Sequence, residues 1–507
     1  MKVLRGFKKV IHYIENVEAP FLYFILTFLF IITIRNFIES YSDSTPMPTI
    51  LYLLHYYTFY IALALAMILL FHFAVRSKIK KIARLVLTSF FIIILPPILD
   101  LLISKQGGYD MAYLLPGKDI DLLQKFLTFF GSFNEMGITP GMRIEIALVV
   151  LATFFYVLVK KRSVIRAFIF SILNYALIFI FVSMPFVVKG FLKLFGIDFN
   201  YSWPLMRNFY LLLILILGAW VLYLYRKKYF IAIFKDLRMF RLLHYELMFI
   251  LGIVFGKMFY PNLNIQLTGH TLFSWIFIPV GIMLAWIFAI ITNNIVDYKI
   301  DLISNKSRPL VTGAITLPHY KTIGLLCFIL CFLYLLAVHF IPLFIVMLFL
   351  GSAWLHDMPP LRLKRVPILA NFTLAFNALI LMMLGYGFVT GFITLPGNIV
   401  AFILIFFTAV INFIDIKDYH GDKTVGIKTL PTMLGLKKSK IVIGVFFFLA
   451  YISSYLVLKN IYLLILFTVI GLLQFYFINK KKYSEKPIFI TYLSSIIILI
   501  IYILITL

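Results

Sequence analysis

Charge is scarce in this chain. Only 13% of its 507 residues are Asp, Glu, Lys or Arg, against 63% hydrophobic, and a soluble protein carries roughly twice that charged fraction. Cysteine is scarcer still. Cys327 and Cys331 are the only two, four apart in an apolar run. That excludes a disulfide framework and a cysteine-based zinc site. A bridge between them would strain a helix, so both are expected to face lipid or a neighbouring helix. Acid is the rarer charge, with 20 Asp and Glu against 46 Lys and Arg and a net charge of +26. Such an excess of base can signal nucleic acid. Here, however, the Lys and Arg residues fall in short clusters between apolar runs, which is the positive-inside pattern of a membrane protein. No nucleic-acid partner is expected.

What is present in abundance is apolar sequence in runs near the ~20 residues that cross a bilayer. The runs are continuous and lack the period-two alternation of a barrel, so the expected class is an all-α, polytopic membrane protein. The first half carries about six candidate spans, near 19–36, 49–75, 84–104, 143–159, 164–188 and 205–225. The second half carries about nine, near 243–260, 271–296, 321–338, 340–355, 368–391, 397–416, 440–458, 460–478 and 487–506. The first run has no cleavage pattern behind it and is closed by Arg35, so it reads as a retained helix and not a signal peptide.

Basic loops at 76–84, 160–166, 226–241, 299–321, 362–365, 417–440 and 480–486 alternate with Lys/Arg-poor ones at 40–48, 261–269 and 394–398, while 105–143 is mixed. With Lys2, Arg5, Lys8 and Lys9 cytoplasmic, every second loop is basic, as a multi-pass protein of the cell membrane requires. Residues 226–242 mix basic and apolar side chains like an interfacial amphipathic helix. They read as a linker between an N-terminal multi-pass domain, 1–225, and a second domain, 243–507. The first domain has no assignable function and its protein partner is unknown; a binding or scaffolding module that recruits a partner or presents lipid substrate is one reading of it. Its marks are a kink expected at Pro96–Pro97 and Asp100, expected at the outer surface.

Acid is rare, yet it is concentrated twice. In NNIVDYKIDLISNKSRPLVTG (293–313), Asn293, Asp297 and Asp301 recur every four residues, one face of a helix that ends an apolar run. Lys306, Arg308 and Pro309 follow. In NFIDIKDYHGDKTVGIKTLP (412–431), Asp415, Asp418 and Asp422 share a face after another apolar run, and Lys423 and Lys428 follow. Both clusters, and the Arg362–Arg365 loop between them, fall on the same expected side, the cytoplasmic one. Carboxylates beside fixed cations suit a Mg²⁺-bridged diphosphate, the acids holding metal and the bases the remaining phosphate charge. A single Asp at a helix end reads equally well as a cap, each Lys or Arg as a positive-inside residue, and Tyr298 and Tyr419 as interfacial anchors. Recurrence of costly membrane carboxylates on one face is what points to a site.

These stretches resemble the UbiA superfamily of intramembrane prenyltransferases over roughly 238–507. NNIVDYKID is similar to its first motif, NDxxDxxxD, and SRPLVTGAI (307–315) to the segment after it. DIKDYHGDKTVGIKTLP (415–431) is similar to the second motif, and PPLRLKR (359–365) to the basic loop between the fourth and fifth helices. The resemblance is nearest to the homogentisate, chlorophyll and digeranylgeranylglyceryl phosphate synthase-like branch. It implies nine helices around a cavity and Mg²⁺-dependent transfer of an isoprenyl group from a prenyl diphosphate to a lipophilic acceptor. That acceptor would be an aromatic or quinone precursor, a chlorin or a glycerol-phosphate lipid. The implied catalytic residues are Asp297, Asp301, Asp418 and Asp422. The implied metal ligands are those four with Asn293, Asn294 and Asp415. The diphosphate would be bound by Asn293, Lys306, Arg308, Arg362, Lys364, Lys423 and Lys428.

Asn294 stands where the family more often has Asp; an amide oxygen still ligates Mg²⁺, so Asp is expected to be tolerated there. His356 and Asp357 replace a common Tyr-Ser pair. A second class of function, a cation-binding transporter or a non-catalytic lipid-binding protein, fits the composition. Transporters, however, place polar groups at mid-membrane in broken helices, whereas these acids sit at helix ends.

Overall fold

A computed structural model of the chain describes residues 2–42, 50–104, 109, 112–117, 120–131, 137–263 and 265–506. The protein is an all-α, multi-pass membrane protein. Among the described residues, fourteen helices are long and apolar enough to span a bilayer, and Gly397–Phe413 supplies a further candidate before bending by 67° into Asp415–Thr424. The six-plus-nine pattern of apolar runs is therefore realised as helices. The Lys/Arg-poor loop at 40–48 lies largely, and the 105–143 stretch partly, outside the described residues. The chain divides into two compact units, Met1–Lys227 with Leu267–Phe273, and Lys228–Gln266 with Ser274–Leu507.

The first unit contains the spans Phe21–Tyr41, Tyr52–Val75, Ile79–Ile103, Pro140–Lys161, Val164–Val182 and Trp203–Tyr225. Three sequence expectations are corrected here. Arg84 is not a loop residue; it is buried in the helix Ile79–Ser89, where its guanidinium donates to the carbonyls of Glu15 and Ala19 and lies over the Phe24 ring. The run near 164–188 is interrupted at Ser183, and a separate helix, Met184–Lys193, begins with Pro185. Asp100 is fully buried, not at the surface. Its carboxylate accepts the Gly141 N–H at 2.8 Å, tying the Pro96–Pro97 region to the start of Pro140–Lys161. Before the two prolines the helix tightens into a 3-10 turn, Phe90–Ile94. The prolines then occupy the first turn of Leu95–Ile103, where their missing N–H groups need no partner.

The second unit contains Met239–Phe259, most of Gly269–Val296, Leu317–Val338, Phe340–Asp357, Leu369–Thr390, Gly397–Phe413, Leu436–Leu458, Ile461–Asn479 and Glu485–Thr506. Its tightest seam joins Met239–Phe259 to Leu369–Thr390 through glycine. A Cβ on Gly385 would lie 1.8 Å from the Phe249 carbonyl oxygen, and one on Gly252 would lie 2.0 Å from that of Met382. In a bilayer, where apolar burial between helices gains little, such backbone approach supplies the van der Waals contact that holds helices together. The basic stretch at 226–242 forms a helix, Lys227–Lys235, as expected, then a break at 236–238 and the first turn of Met239–Phe259. Gly397–Phe413 carries a widened turn at Ile403–Phe407 and a tightened one at Ile411–Phe413, immediately before the bend that starts the second acidic helix.

Gly385→Ala should strain this seam by the ~1–3 kcal/mol typical of overpacking or more, lowering the thermal-unfolding midpoint in detergent by several degrees. Gly351→Ala, where an added Cβ meets nothing within 4 Å, should not. An unchanged midpoint for Gly385→Ala would contradict the packing described.

Candidate functional site

The first acidic cluster forms where one helix hands over to another. Gly269–Val296 ends, Asp297 occupies the junction, and Tyr298–Ser304 follows. The one-face row survives the break because the i to i−4 backbone bonds run straight through it. Asp297 N–H donates to Asn293, Asp301 to Asp297 and Asn305 to Asp301, at 2.8, 2.8 and 2.9 Å. The second cluster lies on Asp415–Val425, closed by Gly426 in the left-handed region (φ 76°) that glycine adopts without strain. The helices Tyr298–Ser304 and Asp415–Val425 pack against each other, so the two motifs, more than a hundred residues apart, meet.

The basic loop expected to join them does so. Arg362 and Lys364 each donate to a different oxygen of Asp297, both at 2.5 Å. Lys364 also reaches Asn293 Oδ1 at 3.1 Å and Asp357 Oδ1 at 3.2 Å, and Asp357 lies 3.1 Å from His356 Nδ1. The His356–Asp357 pair thus helps hold Lys364 in place. Asp301 is buried, 5% exposed; Asn305 donates to one oxygen at 3.1 Å, and Oδ2 has no partner. Burial pushes the Asp301 carboxyl above the ordinary carboxylate range. The Asn305 bond and the Arg308 charge act against that shift, and the Asp297 charge adds to it.

The second cluster stands in contrast. Asp415, Asp418 and Asp422 are half-buried, and among the described residues none of their carboxylates has a hydrogen bond or ion pair. Their charges bear on one another. Asp422 also feels Lys364, and Asp415 feels Arg241.

Five expected members do not join the carboxylates. Asn294 is 1% exposed, and its amide is already committed. It donates to Asp236 Oδ2 at 2.5 Å and to the Tyr320 hydroxyl at 2.9 Å, and accepts from Arg238 at 2.9 Å. The metal role expected of it gives way to a structural one, because turning its oxygen to a metal would strand Arg238. Lys306 and Lys428 are exposed, with no hydrogen bond or ion pair among the described residues. Lys423 is exposed and leans on Tyr419, 5.7 Å from the ring centre. Arg308 joins the Asn294 network: its guanidinium donates to Asp236 Oδ1 at 2.7 Å.

Sequence reading missed that network. Asp236 gathers Arg308, Asn294 and, at 3.3 Å, Tyr320. Arg238 is lowered to about 10, first by burial and then by Arg241 and Arg308. The available signal was a lone acid in an otherwise basic stretch read as a linker.

The donor set suits a hard divalent cation. Every candidate ligand is oxygen, Asp301 has an orphaned buried oxygen, and three further carboxylates have no ion pair among the described residues. Among the described residues no three acidic, His or Cys side chains converge as a ready-made cage. That fits an ion held by one or two carboxylates from each side with ligand oxygens between, as Mg²⁺ commonly is.

Comparisons with known proteins bear on this unit. The sequence profile of the UbiA prenyltransferase family matches residues 248–497. A digeranylgeranylglyceryl phosphate synthase of Methanobrevibacter smithii is 33% identical over 171 residues, 32% of this chain and 59% of that protein. One of Pyrococcus horikoshii is 34% identical over 178 residues, 33% of this chain and 59% of that protein. A 2-acylphloroglucinol 4-prenyltransferase of Humulus lupulus is 29% identical over 159 residues, 29% of this chain and 37% of that protein. This chain therefore spans about three fifths of the length of the archaeal relatives. Among solved structures, a UbiA homolog from Archaeoglobus fulgidus bound to GPP and Mg²⁺ is 20% identical with a TM-score of 0.43, covering 54% of this chain and 97% of its own.

Asp236→Ala should leave Arg308 and Arg238 without their shared counter-charge and destabilise the unit by about 3 kcal/mol, the scale for breaking a buried pair. Asn294→Asp should also destabilise it, by setting a second carboxylate against Asp236. Thermal unfolding of both variants checks this, and wild-type midpoints would refute the network's role.

Proposed function

The second unit of the chain belongs to the UbiA prenyltransferase family, and from that membership we propose that it transfers an isoprenyl group from a prenyl diphosphate to a membrane-associated acceptor. The observation that carries the reading is the packing of two acidic helices against each other, with cations paired to Asp297 beside the first and no ion pair on the acids of the second. Asp297 and Asp301 on one side and Asp415, Asp418 and Asp422 on the other would hold Mg²⁺. Bound there, Mg²⁺ would neutralise the charge that grows on a departing diphosphate. Arg362 and Lys364, at Asp297, are placed to take phosphate oxygens once the carboxylate has another cation.

An open cavity in the same unit is lined by Phe255, Phe402, Phe406, Phe407, Phe447 and Tyr451. One end is marked by Val410, five residues before Asp415, and such a cavity suits an isoprenyl tail. The allylic C–O bond breaks with its electron pair leaving on the diphosphate. Aromatic faces and exclusion of water then protect the carbocation. The acceptor supplies the electron pair of the new bond and loses a proton. The digeranylgeranylglyceryl phosphate synthases among the relatives favour a glycerol-phosphate lipid hydroxyl as acceptor over an aromatic or chlorin one. The alternation of basic loops supports placing the N-terminus and both acidic segments on the cytoplasmic side. The catalytic domain is taken to begin at Lys228, because Asp236 and Arg238 brace its first motif.

Membranes containing the protein, labelled geranylgeranyl diphosphate and a geranylgeranylglyceryl phosphate acceptor should yield a labelled diether lipid. EDTA should abolish it and Mg²⁺ restore it. Asp297→Asn and Asp422→Asn should each lower turnover by ~10²-fold or more, the scale for removing a stabiliser of developing charge. Wild-type turnover in either variant would refute the site assignment.

A further inference from the structure

The first unit has its own cavity, partly open to its surroundings. Its walls come from facing spans. On Ile50–Val75 the lining runs from Phe59 to Phe71, about 18 Å at the helical rise per residue; on Pro140–Lys161 it runs from Met142 to Tyr156, about 21 Å. The space is therefore long, and its lining is mostly aliphatic and aromatic. Ser89 and Thr153 add hydroxyls, and Glu145 is, among the described residues, the only carboxylate that lines it.

The surroundings of Glu145 are unusual for a membrane interior. Arg35 and Glu39, 4% and 1% exposed, form a two-pronged ion pair, and the Arg35 guanidinium lies 4.7 Å from the Tyr56 ring centre and 5.6 Å from that of Tyr60. Tyr60 lines the cavity, and Arg35 is within electrostatic reach of Glu145. One part of the slot thus carries charge, and most of the rest is apolar. Arg35 is matched by Glu39, and Glu145 itself has no hydrogen bond or ion pair among the described residues. A carboxyl left so in an apolar wall costs several kcal/mol, roughly, unless something donates to it.

We propose that this slot binds a lipid with one long apolar chain and a head group that donates a hydrogen bond, a hydroxyl or an ammonium, to Glu145. The chain replaces the void along Leu63, Met67 and Phe71, and the head group supplies the donor that Glu145 lacks. This binding site is independent of the aspartate site and of the activity assigned to it.

The test uses the full-length protein in lipid nanodiscs and three diazirine-bearing probes of equal length: a fatty alcohol, the corresponding amine and the methyl ether of the alcohol. After photolysis, the alcohol or the amine should label peptides carrying 59–71 and 142–156 saturably, and the ether at least tenfold more weakly. Ala152→Phe, which fills the slot, should abolish this labelling, and Glu145→Leu should weaken it at least tenfold. Glu145→Gln is nearly isosteric and keeps an acceptor. Labelling retained in it for the alcohol identifies a hydroxyl head, and labelling by the amine that is lost in it identifies an ammonium. Size-exclusion profiles and unfolding midpoints confirm that the variants are folded. Equal labelling by the ether, labelling spread over lipid-facing residues, or labelling unchanged by Ala152→Phe and by both Glu145 variants would overturn the proposal.

Discussion

Carboxylates crowded at a membrane face repel one another, and the second unit is arranged around how that repulsion is met. On the first acidic segment it is met within the protein, because Arg362 and Lys364 divide the two oxygens of Asp297 between them. On the second it is not, since Asp415, Asp418 and Asp422 bear on one another with only distant basic charge nearby. A divalent cation with an anionic ligand would resolve the imbalance: Asp415, Asp418 and Asp422 would hold the cation, and Arg362 and Lys364 would be free for the anion. The account of function rests on this asymmetry, because two fully paired clusters would have no use for metal.

The arrangement needs a rigid floor, and Asp236 supplies it. By holding Arg308, Asn294 and Tyr320 at once, it anchors the residues on both sides of Asp297 and Asp301. The glycine seam between Met239–Phe259 and Leu369–Thr390 then fixes the helix that follows Asp236 against the one that follows the Arg362–Lys364 loop. Both sides of the Asp297 ion pairs are thereby tied to packed backbone.

Spans and motifs were legible because they are local. Continuous apolar runs announce helices, and the four-residue spacing of Asn293, Asp297 and Asp301 is retained even though the helix breaks at Asp297. What could not be read is where a side chain turns once its helix is packed. Asn294, adjacent to Asn293 in sequence, turns to Asp236, and Arg308 follows it. Asp100 and Arg84 looked like surface residues from their neighbours, yet their partners, Gly141 and the carbonyls of Glu15 and Ala19, lie dozens of residues away. The three unpaired acids of the second motif were visible as a cluster. Their lack of counter-charge was not, because Lys423 and Lys428 follow them in sequence without reaching them.

The claim that both acidic helices act on one ligand is tested most directly by a double-mutant cycle on binding of a non-hydrolysable prenyl thiolodiphosphate in the presence of Mg²⁺. Affinities are measured for the unchanged chain, Asp297→Asn, Asp422→Asn and the pair. A shared metal–diphosphate predicts strong coupling, the double variant binding little worse than the weaker single one. Losses that simply add would mean the two carboxylates act at separate places, and the account of the site would fail.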